Sequence, residues 1–170
     1  MSLEQLWNGW RAQYVGQEIG QSPDPSQSVF THILNSDLSD EEAFIVHRSL
    51  HAFVILNAFP YASGHLLVLP YREVPNLDDL STEESLDLWS CVTNATIALR
   101  GSHSPDALNV GINLGTAAGG SIARHLHVHV VPRWNGDSNF MTSVADTRTI
   151  PEPLSLTASK VRAAWPKGDQ

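Results

Sequence analysis

The stretch His125-Leu126-His127-Val128-His129-Val130-Val131 constrains this chain more than any other. Strict polar–apolar alternation predicts a half-buried β-strand, because successive strand side chains point to opposite faces. Leu126, Val128 and Val130 then face a core, and three imidazoles share the other face. The apolar face accounts for the strand but not for the histidines. Histidine has no marked strand preference, and burying imidazole without hydrogen-bond partners is costly. Three readings stand at this point: structural groups satisfied by hydrogen bonds, ligands of a shared metal ion, or groups that do chemistry. The metal reading lacks the usual third-ligand cluster nearby, with Asp137 and Asp146 as weak substitutes.

Just upstream lies Gly115-Thr-Ala-Ala-Gly119-Gly120-Ser121. Glycine permits unusual backbone angles and close approach, so N–H groups can converge on an anion. The segment is not a Walker loop, and by itself it reads equally as a flexible turn. Beside three histidines, with Ser121 four residues before His125, it gains meaning. A backbone cradle, a hydroxyl and a row of imidazoles together suit attack on a phosphate.

The rest of the chain sets the frame. Its 170 residues favour a single domain and can bury a core without disulfide or metal. A net charge of −8 argues against a general nucleic-acid binder, though not against a small anion in a locally positive pocket. The lone cysteine, Cys91, suits a reducing cytoplasm. The N-terminus lacks the pattern of a secretory signal, and no apolar run is long enough to span a membrane. A short helix is expected over 2–15, then a Pro-punctuated linker to residue 28. Strands are expected over 43–46, 53–57, 65–69, 107–113 and 125–131. Ser81-Thr-Glu-Glu84 is a capping box opening a helix to about Leu99, ended by Gly101. Leu86, Trp89, Val92, Ala95 and Ile97 are its expected inner face, and another short helix is expected within 153–165. Hairpin-like neighbouring strands with helices between and at the ends predict an α+β fold with a mostly antiparallel sheet.

The seven residues from His125 match His-φ-His-φ-His-φ-φ, where φ is apolar, and so resemble the histidine-triad (HIT) superfamily of nucleotide hydrolases and transferases. Asn57-Ala-Phe-Pro-Tyr-Ala-Ser-Gly-His-Leu-Leu-Val-Leu-Pro70 is similar to the ribose-binding segment of that family. Gly119 to Phe140 resembles its bacterial diadenosine tetraphosphate phosphorylase branch. The resemblance implies one HIT domain: an N-terminal helix and linker (1–27), a core (28–134) and a C-terminal extension (135–170). It also implies a cytoplasmic homodimer acting on dinucleoside polyphosphates, with inorganic phosphate as acceptor and no cofactor. Water as acceptor, as in hydrolases of phosphoramidates or dinucleoside polyphosphates, and a nucleotide sensor without turnover are the alternatives.

Attack on a phosphoanhydride needs an uncharged nucleophile that also leaves easily, and imidazole, with an unperturbed pKa near 6.5, fits. The resemblance makes His127 that nucleophile, its other nitrogen held by an acceptor such as a backbone carbonyl on the same strand. His129 faces the α-phosphate, His125 orients, and His65 buttresses the site. Ser121, with the Gly119-Gly120 amides, donates toward the leaving phosphate, and Asn113 supplies a phosphate-binding amide. Asn57 takes the ribose hydroxyls, and Phe30 and Ile55 wall the base. Trp134 lines the entrance for the distal nucleotide, and Arg124 and Arg133 flank the triad. Plain core packing is the alternative for Phe30, Ile55 and His65. Many relatives hold structural zinc through two cysteines, a histidine and the first triad histidine. Here Ser28, Thr31 and Glu73 stand at the first three positions, and the expectation is that zinc is not bound.

Overall fold

Every residue of 52–56 and 66–70 is apolar, which leaves neither segment a solvated face and places both inside a sheet covered on two sides. The computed structural model describes residues 24–119, 122–137 and 152–167. The helix expected over 2–15, together with Gly120 and Ser121, falls outside the described residues. The elements are α1 (Val29–Leu34), β1 (Ile45–Arg48), β2 (Ala52–Leu56), β3 (Leu66–Pro70), α2 (Thr82–His103), β4 (Ala107–Ile112), β5 (Val128–Arg133) and α3 (Leu154–Ala163). The strands form one antiparallel sheet in the order β1-β2-β3-β5-β4. This is the α+β architecture the sequence predicts. No described helix is long and apolar enough to cross a membrane.

Alternation along the central strands builds two cores. Ala52, Val54, Leu66, Val68, Val128 and Val130 pack with Leu88, Ala95 and Leu99 of α2 and Val161 of α3. Phe53, Ile55, Leu67 and Leu69 point the other way, into a smaller core with Phe30 of α1 and Ile45. Each fully buried side chain of this size is worth about 1.5–3 kcal/mol, so the two cores clamp the sheet from both sides. His129 pairs across the ladder with Leu67, which puts the histidines on the smaller core's face.

Two features of α2 differ from expectation. The capping box forms: Glu84 N–H donates to Ser81 Oγ at 3.2 Å, and Ser81 N–H to Glu84 Oε2 at 2.8 Å. The helix, however, runs past Gly101 to His103 and stops at Ser104, which takes a left-handed φ of 46°. Pro105 disfavours helical backbone at the residue before it, so it is Pro105 that stops the helix. Gly101 instead lets a neighbour come close, since a Cβ there would lie 3.4 Å from the Ala164 Cβ. The buried face is Leu88, Cys91, Val92, Ala95, Ala98 and Leu99. Val92 and Ala95 are where the sequence puts them, but Leu86, Trp89 and Ile97 are 69%, 43% and 48% exposed. Both sets recur at helical spacing, so periodicity alone does not choose between them.

The first strand also starts later than predicted, while β2 starts one residue earlier. Phe44 takes a left-handed φ of 56° after a turn closed by Ile45 N–H to Asp40 O, and β1 starts beyond it. The expected C-terminal helix forms as α3, tied to α2 through Glu152, which pairs with both His103 and Lys160.

Candidate active site

The ladder holds only part of the histidine row. β5 begins at Val128, later than the alternation predicts, and its His129 sits between Leu67 of β3 and Gly111 of β4. His125 and His127 precede the ladder and are fixed by other bonds. Leu126 N–H donates to Val74 O at 2.7 Å, and His125 Nε2 lies 2.9 Å from Pro70 O. The rings still form a contiguous row. His127 and His129 have centroids 4.9 Å apart, and Phe30 lies against both His125 (5.6 Å) and His127 (5.7 Å).

Hydrogen-bond logic fixes the tautomers, because a carbonyl only accepts and a backbone amide only donates. His127 Nδ1 is 2.8 Å from the His125 carbonyl. It therefore carries the proton, and the lone pair is on Nε2. The backbone N–H of Tyr61 donates to His65 Nδ1 at 3.1 Å, so the His65 proton is on Nε2. That N–H points at His129 Nδ1, 2.9 Å away. His129 accordingly presents Nε2–H, a buried donor without a hydrogen-bond partner among the described residues. Burial, and then the neighbouring His127, push the His129 pKa down to about 4, so the ring is neutral at pH 7. A lone pair on His127 and an N–H on His129 thus lie side by side on one face.

The other predicted residues divide into those near this pair and those placed elsewhere. Asn57 adjoins His65, with Nδ2 at 3.3 Å from His65 Nδ1, while its Oδ1 accepts Phe59 N–H at 2.9 Å. Phe30 lies against the triad rings, whereas Ile55 is packed inside the smaller core. Asn113 is half-buried just beyond β4, and Gly119 is exposed with a φ of 91° that favours glycine. Trp134 is half-buried, its backbone N–H donating to Asp137 Oδ2. Neither flanking arginine is free for a ligand's charge: Arg133 pairs with Asp137 and Asn109, and Arg124 with Glu73 and the carbonyls of Pro25 and Ser26.

Two contributors escape the motif. Tyr61 lies nearly parallel to His129, at 14° and 5.9 Å, and its amide sets the His65 tautomer. Gly111 faces His129 across the ladder, and a Cβ there would meet nothing within 4 Å, so the lane beside His129 is open. A glycine inside an alternating strand was the available signal.

Ser28, Thr31, Glu73 and His125 do converge. Ser28 Oγ lies 2.7 Å from His125 Nδ1 and 3.0 Å from Thr31 Oγ1, and Thr31 donates to Glu73 Oε2 at 2.6 Å. This donor set does not suit zinc, which favours thiolate, imidazole and carboxylate. It offers two neutral hydroxyls, an imidazole engaged at both nitrogens and a carboxylate already paired with Arg124.

Comparison with known proteins agrees with this geometry. The HIT domain family model matches residues 39–136. A Mycobacterium tuberculosis protein called AP-4-A phosphorylase is 42% identical over 96% of this chain and 85% of its own length. A Schizosaccharomyces pombe asymmetrical bis(5'-nucleosyl)-tetraphosphatase is 36% identical over 55% of this chain and 50% of its own. The crystal structure of a zinc-bound histidine triad family protein from Mycobacterium smegmatis superposes with a TM-score of 0.65 at 30% identity, covering 80% of this chain and 91% of that one. The histidine row, the sheet that carries it and these matches agree: the chain belongs to the HIT domain family.

Proposed function

We propose that this protein is a single-domain cytoplasmic enzyme that cleaves dinucleoside tetraphosphates through a nucleotidyl-His127 intermediate resolved by inorganic phosphate. The observation that carries the reading is the unprotonated Nε2 of His127 beside the donor Nε2–H of His129. His127 Nε2 attacks the α-phosphorus, and the bridge to the β-phosphate breaks, releasing a nucleoside triphosphate. The His127 Nδ1–H bond to the His125 carbonyl stabilises the positive charge that forms on the ring. His129 donates to a non-bridging oxygen of the phosphorus under attack. A phosphate oxygen then displaces the ring, the N–P bond breaks, and a nucleoside diphosphate leaves.

Phosphate as acceptor is supported by the phosphorylase name of the Mycobacterium tuberculosis relative. Water, at about 55 M, greatly exceeds cellular phosphate, but an oriented acceptor gains effective molarities of about 10⁵ M or more. Asn113, the Gly119-Gly120 amides and Ser121 are the groups we assign to that phosphate, and Trp134 to the distal nucleotide. Hydrolysis is the second reading, supported by the tetraphosphatase name of the Schizosaccharomyces pombe relative. A homodimer is supported by the exposed stripe of Leu86, Trp89 and Ile97 on α2 and by β4, an edge strand with Val110 exposed.

Product analysis tests the reading. Diadenosine tetraphosphate with about 10 mM phosphate, a concentration at which orientation must still beat water, should give ADP and ATP. AMP and ATP, unchanged by phosphate, would move the protein to the hydrolase reading. His127→Ala should abolish covalent labelling, and retention of more than about a tenth of the rate, roughly 1.4 kcal/mol, would overturn the nucleophile assignment.

A further inference from the structure

His125 and His127 lie outside the β-ladder, so something else must hold the proposed nucleophile in register. The bonds around them converge on one carboxylate. Glu73 Oε2 accepts Ser28 N–H at 2.9 Å and the Thr31 hydroxyl at 2.6 Å, while Arg124 pairs with Oε1. Ser28 is the N-cap and Thr31 lies in the first turn of α1, the helix that presents Phe30 to His125 and His127. Ser28 Oγ in turn meets His125 Nδ1 at 2.7 Å. His125 Nε2–H already donates to Pro70 O, so in the neutral ring Nδ1 accepts from the serine hydroxyl. The carbonyl of the same His125 takes the Nδ1–H of His127.

We propose that Glu73 is a positioning residue: through Thr31, Ser28 and Arg124 it fixes His125 and α1, and through the His125 carbonyl it sets the ring and tautomer of His127. The inference rests on the nucleotidyl-His127 reading for its effect on rate, and on geometry alone for its effect on the ring. Glu73 touches neither His127 nor Phe30 by any bond described above, and acts on both through its partners. The two hydroxyl protons point outward, Thr31 donating to Glu73 and Ser28 to His125, and the link between them is made by backbone N–H groups: Thr31 N–H donates to Ser28 Oγ at 3.1 Å, and Ser28 N–H to Glu73. Arg124 supplies a second route, since it immediately precedes His125 and ties Glu73 to the carbonyls of Pro25 and Ser26.

The test uses Glu73→Ala, Ser28→Ala and the double variant in the full chain, with Glu73→Gln as the conservative control. Rapid-quench labelling with diadenosine tetraphosphate should show nucleotidylation slowed about 10–100-fold in Glu73→Ala, the range expected when a reacting group is displaced by about an ångström. KM should change far less. The double variant should be no slower than the worse single variant, because both cut the same link. Glu73→Gln, which keeps one acceptor for Thr31, should recover part of the rate. Ring ¹⁵N spectra give a readout that needs no turnover: one Nδ1–H tautomer for His127 in the parent protein, and a mixture in Glu73→Ala. Unchanged tautomers together with parental rates would overturn the proposal, as would effects that multiply in the double variant. A parent protein that never becomes labelled would instead overturn the nucleotidyl-histidine reading, and the ¹⁵N spectra would still decide the positioning role.

Discussion

His129→Asn separates what His129 does for the fold from what it does for the reaction. In the substituted chain, Asn Oδ1 takes the place of the imidazole Nδ1, so His65 Nε2–H, now 2.9 Å from that nitrogen, keeps an acceptor. The Asn Nδ2 falls near the place of the ring Cδ2, so its N–H groups do not reach the position of the Nε2–H. That donor is buried without a hydrogen-bond partner among the described residues, and such a group costs about 1–3 kcal/mol of uncompensated desolvation. The Asn amide exchanges that donor for buried N–H groups of its own, so the cost is not relieved, and the smaller side chain loses packing worth roughly 1.5 kcal/mol. Folding stability should therefore fall by about 1–2 kcal/mol.

The reaction should behave otherwise. Loss of one preorganised donor to a developing oxyanion lowers a rate about 10²–10³-fold, or roughly 2.7–4 kcal/mol. Nucleotidylation measured by rapid quench, beside thermal unfolding of the same samples, reads both quantities. His129→Gln, whose amide reaches farther, should recover some of the lost rate. A His129→Asn rate within threefold of the parent would refute the donor role. A loss of folding stability as large as the loss in rate would show that the ring acts through the fold instead.

Four further outcomes follow from particular residues. Protein purified without added metal should contain far less than one zinc per chain by elemental analysis, because Ser28 and Thr31 replace thiolates; about one zinc per chain would contradict this. Asn57→Ala should weaken a nucleotide by about 0.5–1.5 kcal/mol more than its 2′,3′-dideoxy analogue, and equal weakening by calorimetry would remove Asn57 from the ribose site. His129, neutral in the fold down to a pKa of about 4 but titrating near 6.5 when unfolded, leaves the unfolded chain binding more protons between those values; its share of stability is complete above pH 6.5 and lost as pH falls to about 4. His125, also lowered by burial, acts in the same direction, and unfolding midpoints that fail to drop across that window, or a drop that persists undiminished in His129→Asn, would contradict the assignment. Trp89→Glu, on the exposed stripe of α2, should convert the proposed dimer to monomers in sedimentation and leave an unfolding midpoint that no longer rises with protein concentration.

Much of this architecture was legible because it is local. Ser81 and Glu84 lie within one turn, so their reciprocal cap could be read three residues at a time. The alternation of residues 126, 128 and 130 predicted a core face, and all three pack there. Where two local patterns competed, the sequence did not decide. Leu86, Trp89 and Ile97 repeat as regularly as Leu88, Cys91 and Ala95, and only the docking of the sheet selects the second set. β5 starts later than its alternation predicts for a related reason: residues 125–127 have no ladder partner, because Pro70 ends β3 and Val74 takes over the bonding. The α1 helix leaves no such signature, although Ser28 accepts the Thr31 N–H as an ordinary N-cap does, because six residues carry too little periodicity to stand out.

The chemistry of the histidines lies beyond any such pattern. Three alternating imidazoles state that nitrogens line a face, but each ring has two nitrogens and two neutral tautomers. The choice rests on single atoms remote in sequence or invisible in it. A main-chain amide at Tyr61 leaves His65 a proton on Nε2, that proton makes His129 an acceptor at Nδ1, and His129 is left as a donor toward the site. The carbonyl of His125 makes the opposite choice for His127. Neighbouring rings of the same residue type therefore end with opposite roles, one offering a lone pair and one a proton. If all the rings titrated as equivalent groups, nucleophile and donor would compete for the same protonation state. Because backbone atoms assign them differently, both are available together while the rings are neutral, and this is the condition an in-line displacement at phosphorus requires.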